Sequence, residues 1–182
     1  MLSRGPKNIA LTGFMAAGKT VVGRQLALRL DWPFVDLDRA IEEAEGMKVR
    51  EIFAHKGEAF FRALEKRKLR EVLDGEGQVV ATGGGAVVDE ENLRLLKEKS
   101  LLICLSATPE KLVQRAGSGR GRPLLKGEDR KGKIDSLLSR REKIYAQAHL
   151  TIDTSALSID DVVEKIMAQL RITEGNVRIR RS

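Results

Sequence analysis

The strongest constraint on the fold of this chain is a glycine-rich motif close to its amino terminus. Residues 13–20 read G-F-M-A-A-G-K-T and match G-x-x-x-x-G-K-[ST] at every fixed position. The apolar run 9–12 precedes the motif and the amphipathic stretch 21–30 follows it, which is the strand–loop–helix context that the motif requires. The sequence therefore predicts a binding site for a nucleoside triphosphate.

Phosphate chemistry gives each part of this motif a role. The glycines let successive backbone N–H groups wrap the phosphates, and the amino terminus of the following helix adds its dipole. Lys19 is expected to reach the β- and γ-phosphates, and the Thr20 hydroxyl is expected to ligate Mg²⁺. The alternative is a glycine-rich turn without a ligand. The nucleotide contacts of the motif are predicted at Gly13, Ala16, Ala17, Gly18, Lys19, Thr20 and Val21.

Composition narrows the class of protein. The 182 residues are 42% apolar and 32% charged, as in a soluble globular domain. The chain has neither an apolar run long enough to span a membrane nor an apolar signal core, so a cytoplasmic location without membrane contact is expected. The single cysteine, Cys104, lies in the apolar run 101–105, which predicts a buried and unreactive thiol.

The net charge of +7 suggests a nucleic-acid-binding protein, but its distribution favours another explanation. Cations concentrate among glycines at 115–133 and again in a tail at 173–182, which is expected to be a solvated extension. A protein that binds single strands interleaves aromatic residues for base stacking, and only 4% of this chain is aromatic. A phosphate-rich small ligand accounts better for the first cluster, so no nucleic-acid partner is predicted.

Short apolar runs alternate with helical patterns, as in a parallel sheet with crossover helices. Strands are predicted at 8–12, 33–36, 78–82, 101–106 and 150–153, and helices at 19–30, 38–45, 49–55, 58–73, 89–98, 108–116, 133–147 and 158–170. The fold class is therefore α/β, with a five-stranded parallel sheet and helices on both faces. One domain over 1–172 is expected, with a helical substrate-binding insertion at 38–73 and a lid at 117–132.

Two further motifs follow predicted strands, at the sheet edge where ligands bind in such folds. D-L-D at 36–38 offers two carboxylates, of which one can hold a metal ion through water and the other can accept a proton. The alternative for Asp38 is a simple cap of the helix that follows. T-G-G-G at 82–85 exposes backbone N–H groups to a hydroxyl or a phosphate, and its alternative is a flexible turn.

A fourth motif lies in the predicted insertion, where G-E-A-F-F-R-A-L-E at 57–65 places Arg62 on a helix. Arg62 is a candidate clamp for an anion. The alternative is an ordinary surface ion pair with Glu58 or Glu65, since charges at this helical spacing often pair.

Together these motifs resemble one family, the shikimate kinases, over about residues 7–170. The ordered set comprises the motif at 13–20, D-x-D at 36–38, G-E-x-x-F-R-x-x-E at 57–65, T-G-G-G at 82–85, R-P-L-L at 122–125 and R-x-x-x-Y at 141–145. The resemblance implies a P-loop kinase related to the nucleoside monophosphate kinases. It further implies transfer of the γ-phosphoryl group of ATP to the 3-hydroxyl of shikimate, giving shikimate 3-phosphate and ADP in aromatic amino-acid biosynthesis.

The resemblance also implies roles for individual residues. Asp38 would bind acceptor hydroxyls and act as the base, with Lys19 and Arg122 completing the catalytic set, and Asp36 would support Mg²⁺ through water beside Thr20. Arg115 and Arg122 would contact the nucleotide, Arg115 against adenine. The acceptor would be bound by Asp38, Phe53, Phe61, Arg62, Gly83, Gly84, Gly85 and Arg141. The expected partners are ATP and shikimate, the expected cofactor is Mg²⁺, and the expected state is a monomer.

The chain departs from the family pattern after its last predicted strand. Residues 153–159 contain no proline to face adenine, so selectivity for adenine stays open, and the tail beyond 172 is longer than usual. A related kinase acting on gluconate is the first alternative, against which D-x-D, T-G-G-G and R-P-L-L weigh. A regulatory P-loop protein that binds nucleic acid is the second, favoured by the sequence pI of about 9.7.

Overall fold

A five-stranded parallel sheet organises the chain in the computed structural model, which describes residues 7–117 and 129–179. Its strands are β1 (Ile9–Thr12), β2 (Phe34–Asp36), β3 (Val79–Ala81), β4 (Leu101–Ser106) and β5 (Leu150–Asp153). They pair in parallel in the order β2-β3-β1-β4-β5. The predicted sheet is confirmed, and each predicted strand agrees with the observed one within one residue at either end.

Seven helices lie in the described part of the chain. They are α1 (Lys19–Leu30), α2 (Leu37–Glu45), α3 (Val49–Leu73), α4 (Glu90–Lys99), α5 (Pro109–Ala116), α6 (Arg130–Tyr145) and α7 (Ile159–Ile179), and a short 3-10 turn covers Ala86–Val88. The two helices predicted at 49–55 and 58–73 are the two arms of α3. Gly57 separates them with a φ of 84°, a conformation that glycine adopts without strain.

The last two helices differ from the prediction. Helix α6 begins at Arg130 rather than at 133. The side chain of Asp129 caps this start by accepting from the backbone N–H of Gly132 at 2.9 Å. Helix α7 continues to Ile179 instead of ending near 170. Part of the tail predicted as an extension is therefore helical, since no proline interrupts the backbone hydrogen bonds of that stretch.

The central strands are buried on both faces, which explains their nearly continuous apolar sequences. Ile9, Ala10 and Leu11 of β1 are fully buried. Cys104 of β4 is 1% exposed, and burial raises the pKa of its thiol to about 11, which confirms the prediction of an unreactive cysteine. Among the described helices, none combines the length and the apolar character needed to cross a bilayer.

Parallel pairing places the segments after β1, β2 and β3 at one edge of the sheet. Phe34 and Ile9 are both in register with Val79, so the D-L-D segment, the T-G-G-G segment and the phosphate-binding loop at 13–20, hereafter the P-loop, emerge side by side. Three motifs that are far apart in the sequence thus meet at the carboxyl ends of neighbouring strands, where ligands bind in open α/β sheets.

Candidate active site

The P-loop owes its shape to glycines at two positions. Gly13 has a φ of 133°, and a Cβ there would lie 2.1 Å from the carbonyl oxygen of Leu105. Gly18, with a φ of 102°, is the residue before α1. Any larger residue at 13 would therefore strain the backbone and clash with β4, which keeps the loop close to the sheet.

Lys19 is held inside the P-loop. Its Nζ donates to the carbonyl oxygens of Gly13 at 2.8 Å and Phe14 at 2.9 Å, and the residue is only 9% exposed. The ammonium group thus lies within the loop that is predicted to wrap the phosphates.

Thr20 and Asp36 lie together, as the sequence predicts. The Thr20 hydroxyl donates to Asp36 Oδ2 at 2.8 Å. The other oxygen, Asp36 Oδ1, accepts from the backbone N–H of Arg39 at 3.3 Å and so caps α2. The helix-cap alternative for Asp38 is therefore wrong, because α2 begins earlier than predicted and Asp38 lies within its first turn.

Two buried carboxylate oxygens near Gly83 have no hydrogen-bond partner among the described residues. They are Asp38 Oδ1 and Glu65 Oε1. A Cβ on Gly83 would lie 2.9 Å from the first and 2.6 Å from the second, so both oxygens border the same small space. Buried acceptors without donors are costly in a folded protein, and a ligand that brings hydroxyl groups would satisfy them.

Burial perturbs both carboxylates. Burial raises the pKa of Asp38, the negative charge of Asp36 raises it further, and Lys19 and Arg62 oppose the increase. Burial likewise raises the pKa of Glu65, against the opposing effect of Arg62. A carboxylate with a raised pKa in a cavity is a candidate for proton transfer.

Arg62 connects the insertion to this space. Its Nη1 donates to Glu65 Oε2 at 2.7 Å and its Nη2 to Glu58 Oε1 at 3.2 Å. Its Nη2 would also lie 2.6 Å from a Cβ on Gly85, so the guanidinium lies directly against the T-G-G-G segment. The ion pairs of the surface alternative therefore exist, and Arg62 nevertheless faces the cavity.

Arg141 reaches the same segment from α6. Its Nη1 donates to the carbonyl oxygen of Gly84 at 3.1 Å, and the hydroxyl of Tyr145 donates to the same oxygen at 2.6 Å. Two arginines from different helices, Arg62 of α3 and Arg141 of α6, thus lie against the three consecutive glycines.

A cavity of about 580 Å³ unites these groups. Every residue predicted to bind the acceptor lines it, namely Asp38, Phe53, Phe61, Arg62, Gly83, Gly84, Gly85 and Arg141. The rings of Phe53 and Phe61 contact each other there, with centroids 4.9 Å apart. Sequence reasoning noticed Glu65 only as a neighbour of Arg62 and missed that its carboxylate is 1% exposed and lines this cavity.

A second cavity, of about 410 Å³, adjoins the first at Ala16, Lys19 and Thr20. The predicted residues Ala17, Gly18, Val21 and Arg115 also line it. Gly13, also predicted to contact the nucleotide, lies against β4 and is not among the residues that line this cavity. Arg122 and most of the predicted lid lie outside the described residues.

One wall of the second cavity is formed by the segment after β5. It includes Thr154, Leu157 and Ile159, which sequence reasoning missed. Arg115 donates through Nη1 to the Thr154 hydroxyl at 2.9 Å and through Nη2 to the Thr154 carbonyl oxygen at 2.7 Å. Leu157 and Ile159 complete that wall, in the stretch where the expected proline is absent. Their position after a strand of the same parallel sheet was the available signal.

Comparison with known proteins finds relatives that match most of this chain. A family model described as shikimate kinase matches residues 15–171. The shikimate kinase of Geobacter metallireducens is 47% identical over 165 residues, which cover 90% of this chain and 92% of that protein. The shikimate kinase of Moorella thermoacetica is 45% identical over 91% of this chain and 95% of that protein.

Solved structures give the same family. A shikimate kinase from Acinetobacter baumannii in complex with shikimate superposes with a TM-score of 0.89 and 38% identity, covering 94% of this chain and 96% of that one. A gluconokinase from Sinorhizobium meliloti superposes over 97% of this chain and 98% of that one, with a TM-score of 0.61 and 16% identity. The second likeness extends to the fold alone.

Proposed function

The chain belongs to the shikimate kinase family and is an ATP-dependent kinase, and we propose that its two adjoining cavities hold ATP and shikimate for phosphoryl transfer. The γ-phosphoryl group passes from ATP to the 3-hydroxyl of shikimate, giving ADP and shikimate 3-phosphate. One observation carries the assignment of the cavities. The P-loop residues Ala16, Lys19 and Thr20 belong to the walls of both, so a γ-phosphate bound in one would lie beside a hydroxyl in the other.

The acceptor side matches the chemistry of shikimate, which carries a carboxylate and vicinal hydroxyls. We assign the carboxylate to Arg62 and Arg141, because a guanidinium pairs with a carboxylate through two parallel hydrogen bonds. We assign the hydroxyls to Asp38 and the backbone of Gly83 to Gly85. The unpartnered Asp38 Oδ1 supports this, since it needs a donor.

Asp38 is the proposed base. Its burial raises the pKa of its carboxylate, and a more basic carboxylate takes a proton from an attacking hydroxyl more readily. It lies in the first turn of α2 and lines the same cavity as Lys19 of the P-loop. Glu65 is a positioning residue in this scheme, because its buried carboxylate holds the Arg62 guanidinium at 2.7 Å.

The oxygens of Thr20 and Asp36 fit Mg²⁺, which binds through few protein ligands together with water and phosphate oxygens. We propose that Thr20 ligates the ion directly and Asp36 through water. When bound, the ion neutralises charge on the β- and γ-phosphates. Lys19 would add its ammonium charge at the same phosphates, and its release from the carbonyls of Gly13 and Phe14 would accompany nucleotide binding.

We assign the contact with adenine to Arg115. Its guanidinium donates to Thr154, which fixes its position, and it can stack on the base. Leu157 and Ile159 provide apolar contacts in place of the missing proline. The role of Arg122 and the closure of a lid at 117–132 remain predictions, as do a monomeric state and a cytoplasmic location.

Release of ADP, measured by a coupled assay with and without shikimate and Mg²⁺, tests the proposal. We expect release that depends on both, and little release with gluconate as the acceptor. Equal release with gluconate, or release independent of the acceptor, would contradict the assignment of shikimate. Steep salt-dependent binding of DNA or RNA without turnover of ATP would favour the nucleic-acid alternative.

A further inference from the structure

The carbonyl oxygen of Gly84 is the meeting point between α6 and the acceptor segment. It accepts from the Tyr145 hydroxyl at 2.6 Å and from Arg141 Nη1 at 3.1 Å. Tyr145 lies one helical turn after Arg141 and is 8% exposed. Burial raises the pKa of the Tyr145 hydroxyl, so the group keeps its proton and can act as the donor at neutral pH.

The geometry of the peptide bond carries the effect of these hydrogen bonds to the next residue. The C=O of Gly84 and the N–H of Gly85 belong to one planar peptide unit, and they point in opposite directions because the described chain contains no cis peptide bond. Fixing the carbonyl toward α6 therefore directs the Gly85 N–H away from α6. Within the described residues this N–H donates to no protein group, and Gly85 lines the acceptor cavity.

The two donors to Gly84 differ in what they do once an acceptor binds. Arg141 lines the acceptor cavity, so its guanidinium is the group that must turn toward a carboxylate in the proposed function. Tyr145 does not line that cavity, and its hydroxyl is free of this competition. A hydrogen bond to the carbonyl also polarises the peptide unit and strengthens its N–H as a donor.

We propose that Tyr145 is a positioning residue for the kinase reaction, which holds the Gly84–Gly85 peptide so that the Gly85 N–H donates to the bound acceptor. The proposal rests on the proposed function for the identity of that acceptor. It predicts a specific defect, because removal of the hydroxyl would loosen the acceptor cavity and leave the nucleotide cavity unchanged.

The test is Tyr145→Phe, which keeps the buried ring and removes only the hydroxyl. We expect the KM for shikimate to rise about 2–10-fold, as is typical of one lost hydrogen bond, while the KM for ATP stays within about 2-fold. In acceptor-free protein, the amide of Gly85 should shift in the ¹H–¹⁵N NMR spectrum and exchange with solvent faster than in the wild type. This second measurement needs no turnover, so it remains decisive if the wild type fails to phosphorylate shikimate.

A matched control removes a buried hydroxyl elsewhere. Ser100 is 6% exposed, donates to the carbonyl oxygen of Leu96 and precedes β4 at the opposite edge of the sheet. Ser100→Ala should lower thermal stability without changing the KM for shikimate or the Gly85 amide. An unchanged Gly85 amide in Tyr145→Phe, or equal changes in the KM values for shikimate and ATP, would overturn the proposal.

Discussion

Replacement of Asp38 by asparagine separates the proposed base from a role in capping a helix. The cap of α2 belongs to Asp36, so this change leaves the start of the helix intact. Asparagine has nearly the same shape as aspartate and cannot accept a proton at neutral pH. The change thus removes the proton acceptor and its negative charge beside Lys19 and Arg62, while it keeps the shape of the side chain.

The expected loss of rate follows from the role of the base. General-base catalysis contributes roughly 10²–10⁴-fold, so kcat should fall on the order of 10²-fold or more, which corresponds to about 2.7 kcal/mol or more. The KM for ATP should change little, because the defect concerns proton transfer to a carboxylate of the acceptor cavity.

The substitution should lower the rate, but it should not lower the stability of the folded protein. Burial raises the pKa of Asp38 above its usual 3.8, so the ionised form is disfavoured in the folded state. Wild type therefore loses stability as pH rises from 3.8 through the higher folded pKa, while the asparagine variant does not titrate. Near neutral pH the variant should be at least as stable as the wild type, and the difference should vanish in acid.

The assay combines steady-state kinetics of ADP release with urea unfolding at several pH values. Asp89→Asn is a suitable control, because Asp89 caps α4 by accepting from the N–H of Asn92 at 3.0 Å and lies outside the acceptor cavity. It should leave kcat unchanged. Near-normal turnover of Asp38→Asn, or destabilisation of the kind expected for a lost cap, would refute the reasoning.

Four further variants test other parts of the site and the fold. Arg62→Lys should keep the fold and the affinity for ADP, measured by calorimetry. It should lose roughly 1.5–3 kcal/mol in kcat/KM for shikimate, since lysine cannot form the bidentate pair with the carboxylate. An unchanged KM for shikimate would leave Arg62 as an ion-pair partner of Glu58 and Glu65 only. Gly83→Ala should abolish shikimate binding but keep ADP binding, because its methyl group would meet two carboxylate oxygens; full activity would contradict the cavity assignment. Asp36→Ala should cost about 0.5–2 kcal/mol in urea unfolding through the lost cap and also raise the Mg²⁺ concentration needed for half-maximal rate; an unchanged Mg²⁺ requirement would argue against the metal role. His149→Gln should weaken the pH dependence of thermal stability. Burial lowers the pKa of His149, whose Nδ1 accepts from the N–H of Leu102, so the stability that the neutral imidazole contributes is present above pH 6.5 and is lost as the pH falls further. Identical profiles of stability against pH for both proteins would contradict this.

The P-loop, the five strands and the grouping of the acceptor residues could be predicted from local patterns. A strand buried on both faces needs a nearly continuous apolar run, and glycine occupies two of the three positions of this loop where the backbone φ is positive, Gly13 and Gly18, with Ala16 at the third. Such requirements involve a few neighbouring residues, so they appear directly in the sequence. Parallel pairing then brings the strand ends together, which is why the sequence places D-L-D and T-G-G-G beside the P-loop.

The sequence by itself determined the parallel sheet, the nucleotide-binding loop and the family, because each depends on short segments with strict backbone or packing requirements. Only the tertiary structure decided that Asp36 caps α2, that Glu65 is buried beneath Arg62, and that Tyr145 bonds to Gly84, 61 residues away along the chain. The physical reason is that burial, and hence the pKa of a carboxylate or the availability of a carbonyl, depends on which distant segments cover the group. That covering is set by the packing of α3 and α6 against the edge of the sheet, a property that no local pattern contains.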